Sequence, residues 1–190
     1  MNRMHRIHMT TIQMACCLLL AIQGAPHPAA AQDQVRVQRE EAIEAYQAGD
    51  YTAVRERLRD DATDLGRLYF GKASFMDGRC GEAVPALWIA SRSAESDLAL
   101  DARYTLALCQ IELRQYPAAL RGLRDLGTET GASMASAARD LYIRLIAFLT
   151  PEQVLDAAAG AQDPEFVLDL YRYGSAPSDS PVVAYLHRSL

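Results

Sequence analysis

Residues 68–90, LYFGKASFMDGRCGEAVPALWIA, decide the fold. Leu65, Leu68, Tyr69 and Phe75 recur at helical spacing up to Phe75, and Ala83, Val84 and Leu87 recur at the same spacing from Cys80 onward. Between the two runs stands Asp77-Gly78, a pair that stops a helix and turns the chain. The segment predicts two helices folded back on one another through a tight turn. Pro85 lies inside the second run and predicts either a kink or a later helix start there. Val84, Leu87 and Trp88 share a face, which is read as core.

The same grammar appears twice more. Residues 45–51, AYQAGDY, and 110–116, QIELRQY, each end one apolar helical run and open another. Aligned on the turn residues Gly49, Gly78 and Arg114, small residues fall seven positions upstream at Ala42, Gly71 and Ala107. Downstream, Val54, Ala83 and Ala119 are followed four residues later by Leu58, Leu87 and Leu123. Small residues let two helices approach closely, and the leucine fills the space beneath. The turns are 29 and 36 residues apart.

Outward from this centre the chain keeps to helices. Leu98, Ala102, Leu106, Cys109 and Leu113 predict a long helix over 98–113, with a shorter partner over 116–126. Another long one is predicted over 132–149. Thr150-Pro151-Glu152-Gln153 combines a capping hydroxyl, a first-turn proline and a glutamine placed to reach back, and Asp163-Pro164-Glu165 repeats the device. Alternating strand patterns are nearly absent, and the 32 alanines and 23 leucines favour helix. The predicted fold class is all-α, built of antiparallel helical hairpins.

On these residues the chain resembles the tetratricopeptide repeat family, over about residues 34–126 with a degenerate continuation to about 160. Its repeat of 34 residues lies between the two observed steps. The strongest unit is Leu68-Tyr69-Phe70-Gly71 through Gly78, Ala83, Leu87 and Ala90. The next carries Tyr104, Leu106, Ala107, Tyr116, Ala119 and Leu123. Val54 stands where the family prefers alanine, Arg114 where glycine is common, and no unit ends in the usual proline. The resemblance implies a short α-solenoid over 32–173. It also implies that the first helix of each hairpin lines a concave groove. Arg39, Tyr46, Lys72, Phe75, Tyr104 and Ile111 occupy comparable groove positions, a mixed aromatic and basic lining suited to an extended peptide or a partner helix. The competing reading assigns half of them to the seams between helices.

The first 31 residues read differently. Arg3 and Arg6 stand in an acid-free start, residues 14–22 (MACCLLLAI) are apolar, and Ala29-Ala30-Ala31 precede Gln32. This is the pattern of a secretory signal peptide, residues 1–31, whose apolar run is too short to span a bilayer. An uncleaved anchor is the alternative. Three leucines follow Cys16 and Cys17, which argues against a lipoprotein. The expected location is the bacterial periplasm or the exterior. Residues 174–190 read as a Ser/Pro/Asp linker and a short apolar helix.

Removing 1–31 takes two bases and no acids, so 17 bases face 24 acids and the net charge moves from −5 to −7. Such a balance disfavours nucleic acid. Of four histidines only His187 remains, and of four cysteines only Cys80 and Cys109. A Ser-His-Asp or Cys-His set is starved of its base, a zinc site of its ligands, and no phosphate-binding glycine loop is present. The expectation is no catalytic residues, no metal and no cofactor. A hydrolase working through pairs such as Asp60-Asp61 or Glu40-Glu41 is a distant alternative, because adjacent helical residues point about 100° apart.

In the hairpin reading Cys80 opens one helix and Cys109 lies near the end of the next. Antiparallel packing brings those ends to one edge, within disulfide reach. The other reading is two small buried apolar residues that stay thiols. The expected function is an exported, non-enzymatic scaffold for protein–protein interaction. The alternative is an accessory subunit of a membrane-associated assembly, docked through the C-terminal segment.

Overall fold

The structure is a computed structural model that describes residues 28–129, 134–161 and 163–174. Most of the leader and all but Gly174 of the C-terminal linker and last segment lie outside the described residues. Nine helices and no strand are present among the described residues: α1 (Pro28–Gln47), α2 (Tyr51–Leu58), α3 (Asp64–Met76), α4 (Cys80–Ala90), α5 (Ser96–Glu112), α6 (Tyr116–Thr128), α7 (Ala135–Phe148), α8 (Pro151–Ala159) and α9 (Pro164–Tyr173). The fold is all-α, as the periodicity predicts.

The chain divides into two units, Met1–Gln38 and Arg39–Leu190. The 31/32 junction falls inside α1. In the described part of the first unit, Arg36 faces Asp33 one turn away at 3.7 Å.

In the second unit each helix from α2 to α7 packs on its neighbour in sequence. In addition α3 reaches α5, α6 reaches α8, and α9 lies against α7 and α8. The turns at Gly49, Gly78 and Arg114 are one motif. Each residue has a positive φ, of 81°, 70° and 58° respectively. Its amide donates to the carbonyl three residues back, at Tyr46, Phe75 and Ile111. The next amide donates to the carbonyl five back, at Ala45, Ser74 and Gln110. This pair of bonds is the Schellman closure of a helix end. It satisfies the orphan carbonyls while reversing the chain.

The register read around these turns is the packing register. Ala42, Gly71 and Ala107, then Val54, Ala83 and Ala119, then Leu58, Leu87 and Leu123 are all buried. Gly71 shows why the upstream site is small: a Cβ there would lie 2.5 Å from Leu87 Cγ. Around these residues the core forms three main clusters. Ala42, Val54, Leu58 and Ala73 make the first. Leu68, Cys80, Leu87, Leu98 and Cys109 belong to the second. The third and largest, with Leu120, Leu123, Tyr142, Ile146 and Phe166, joins α5 to α9.

The turn from α7 into α8 uses a different device. Leu149 is extended, and Thr150 caps α8 with the reciprocal bonds its sequence predicts: Gln153 N–H to Thr150 Oγ1 at 3.4 Å, Thr150 N–H to Gln153 Oε1 at 2.9 Å. One alternative is decided and one reading changes. α4 starts at Cys80 and continues past Pro85, so there is no late start. Trp88 is not core: it is 51% exposed, with the Arg92 guanidinium 3.1 Å from its ring centroid, while Leu87 beside it is fully buried. One hundred degrees of helical rotation separates the two.

Candidate functional site

All six expected groove residues, Arg39, Tyr46, Lys72, Phe75, Tyr104 and Ile111, are half-buried. Two of them come together. Tyr46, near the end of α1, is met edge-on by Tyr51 and Tyr69, with ring centroids 5.5 and 5.4 Å away. Lys72 of α3 holds its Nζ 5.7 Å from the Tyr46 centroid and donates to Asp101 Oδ2 of α5 at 2.6 Å. Thr105 Oγ1 then donates to the Asp101 carbonyl at 2.9 Å. Burial raises the Tyr46 hydroxyl above its usual pKa; the Lys72 charge opposes this, and Tyr51 and Asp101 reinforce it. Aromatic face, cation and carboxylate thus form one patch across the first helices of three hairpins.

The other four residues have different surroundings. Arg39 is held on Asp61 by bonds of 2.8 Å from Nε and 3.3 Å from Nη2. The Asp61 carboxylate also accepts from the Thr63 amide and hydroxyl, and Gly66 leaves room for it: a Cβ there would strike the carboxylate. Phe75 packs against the second core cluster, and Tyr104 and Ile111 against the third, at the seams between helices.

The pairing of these cations with particular acids is what sequence reasoning did not find. Arg55 of α2 reaches Asp77 at 2.8 Å and Glu82 at 3.5 Å, while Arg103 of α5 meets Glu129. The densest group surrounds Arg124 of α6. Its guanidinium bonds Asp163, lies 3.2 Å from Glu165 and 3.7 Å from Asp169, and stands 5.9 Å from the Phe166 centroid. Tyr142 donates to Asp169 at 3.3 Å; burial, then the Asp169 charge, pushes its hydroxyl far up. A cavity of about 240 Å³ beside this group is lined by Arg139, Tyr142, Ile143, Asp169 and Tyr173 among others. With three carboxylates around one guanidinium, the group is an internal clasp between α6 and α9.

Cys80 and Cys109 are brought together. Both are buried free thiols in the second core cluster, close enough for Cys80 to act on the Cys109 thiol. Burial, then Cys80 and the Glu112 charge, pushes the Cys109 thiol well above its ordinary value.

Among the described residues no three His, Cys, Asp or Glu are grouped to hold a metal ion, and no helix is long and apolar enough to cross a membrane. Comparison with family models, curated proteins and solved structures returns no match.

Proposed function

We propose that this chain is an exported, non-enzymatic scaffold of tetratricopeptide type, whose hairpins bind a protein or peptide partner in the cell envelope. The observation that carries the reading is the patch spanning α1, α3 and α5. Tyr46, Lys72 and Asp101 offer an aromatic face, one amine and one carboxylate on helices whose spacing the core fixes. A peptide crossing three parallel elements meets such groups at successive positions. Affinity then comes from a few anchors on a preset surface, with little ordering of the scaffold itself. Lys72 and Asp101 neutralise each other in the free chain. An incoming charged side chain would exchange into that pair, which favours specificity over strength.

The test places a photo-crosslinking side chain at position 72, or at position 88 on α4, in the full chain produced in its own cells. A discrete adduct from position 72 that disappears with Tyr46→Ala or Asp101→Arg is expected. Adducts of equal yield and identity from both positions, or none from position 72, would overturn the reading. Export is tested separately. Residues 1–31 fused to a reporter active only outside the cytoplasm should yield activity, and the exported chain should begin at or near Gln32.

A further inference from the structure

We propose that Cys80 and Cys109 are a disulfide-forming pair, bridged while the chain folds and then sealed inside the seam between α4 and α5. Cys80 is the first residue of α4, and Cys109 lies in the last turn of α5. The two helices pack as neighbours, so these ends meet. Both thiols lie in the same buried cluster, with Cys80 4% exposed and Cys109 wholly buried. Leu68, Ala83, Leu87 and Ala102 belong to the same buried apolar cluster.

Geometry therefore favours the bond, while burial excludes the reagent that makes it. Exchange needs a thiolate and an approach in line with the disulfide it attacks. In the folded chain the Cys109 thiol is held protonated by its apolar surroundings, and no soluble disulfide reaches either sulfur. The step belongs to a stage at which the seam is open. One thiolate attacks a donor disulfide, supplied by an exported thiol oxidoreductase or a small-molecule disulfide. A mixed disulfide forms and one donor thiol leaves. The second cysteine, losing its proton, displaces the other donor thiol. The donor gains the two electrons that the pair gives up. Once α4 and α5 close, the bond is as inaccessible to reductants as the thiols were to oxidants. Supply of the donor in the cell rests on the export reading; the pair's capacity to bridge does not.

The full chain, reduced in denaturant, is refolded either with oxidised glutathione present from the start or with it added after folding is complete. Alkylation under denaturing conditions and peptide mapping then identify the state of each cysteine. The early addition is expected to give a Cys80–Cys109 cross-linked peptide. The late addition should leave both as thiols for at least about ten times longer. In the bridged chain the unfolding equilibrium should shift toward the native state by roughly a few hundredfold relative to the reduced chain, the effect of closing a loop of about 30 residues. Cys109→Ala should abolish the cross-link and leave Cys80 alkylated. Alkylated Cys80 and Cys109 after early addition, or bonding of either to Cys16, Cys17 or a second chain, overturns the pair. Equally fast bridging after late addition overturns the sealing. If the bridge forms in vitro while chain recovered from cells carries Cys80 and Cys109 as thiols, the export reading fails and the pair stands.

Discussion

Lys72, the only lysine in the chain, reaches from α3 to Asp101 on α5 with 2.6 Å between Nζ and Oδ2. The contact skips a helix. It ties the first helix of one hairpin to the first helix of the next, and it lies on the surface proposed to meet a partner. Both side chains remain about a quarter to a third exposed, at 26% and 30%, so solvent screens the pair. A double-mutant cycle with Lys72→Met and Asp101→Asn should give a coupling of about 0.5 kcal/mol. Denaturant midpoints are the measurement. A coupling of several kcal/mol would mean that the pair is a structural anchor and not an exchangeable surface.

Gly71 is predicted to tolerate no larger residue. An added Cβ would lie 2.5 Å from Leu87 Cγ, which is fully buried, so the packing must shift to admit it. Gly71→Ala should cost about 1–3 kcal/mol despite the gain in helix propensity. Leu87→Ala alone should cost about 2–5 kcal/mol by opening a cavity. The double variant should be less destabilised than the sum, because each change relieves the other. Strict additivity would show that the two residues do not contact in the folded chain.

Arg114 holds a left-handed conformation at the same turn position as Gly49 and Gly78. A side chain there costs about 1–2 kcal/mol, which glycine avoids at some expense in chain entropy. Arg114→Gly should therefore raise stability by about 0.5–1 kcal/mol, and Gly78→Ala should lower it by a similar amount. Thermal melts of the two variants should move in opposite directions. Movement in the same direction would rule out the shared turn geometry.

Acid should weaken the fold through two carboxylates. Burial works to raise the Asp61 carboxyl, but the hydrogen bonds from Arg39 and Thr63, with the Arg39 charge, hold it below the usual range. The hydrogen bond from Arg124, aided by the amides of Phe166 and Glu165, lowers Asp163 despite slight burial. A carboxyl depressed by folding contributes stability that is full above its unfolded value, near pH 4, and is lost as pH falls below it. The unfolding free energy should be flat from about pH 5 to 7 and drop below about pH 4. Asp61→Asn should cost about 1–3 kcal/mol at pH 7 and flatten the acid limb. An acid limb unchanged in both Asp61→Asn and Asp163→Asn would refute this assignment.

Sequence and structure agree where the physics is local. A positive φ, a cap or a buried small residue is set within one turn of its own position. That is why the turns at 49, 78 and 114, the Thr150 cap and the register of Ala42, Gly71 and Ala107 could be read in advance. The ion pairs are not local. Arg39 finds Asp61 22 residues away, Lys72 finds Asp101 29 away and Arg124 finds Asp163 39 away. No spacing rule selects one acid from 24, so the cations could be singled out but not their partners. Trp88 failed for another reason. Apolar periodicity in α4 includes Val84, Leu87 and Trp88 without distinguishing the residue at the centre of the stripe from the one at its edge. The arginine stacked on the indole covers what the core does not.

The exposed setting of Trp88 has a practical consequence. It is the sole tryptophan of the chain, and its emission senses a guanidinium and water at the end of α4. Its spectrum in the native state should already be red-shifted and open to soluble quenchers. A fluorescence titration would then follow the fraying of one helix terminus, whereas circular dichroism at 222 nm follows the loss of helices throughout. Divergence between the two signals would be the local reporter's signature, and need not signify a folding intermediate.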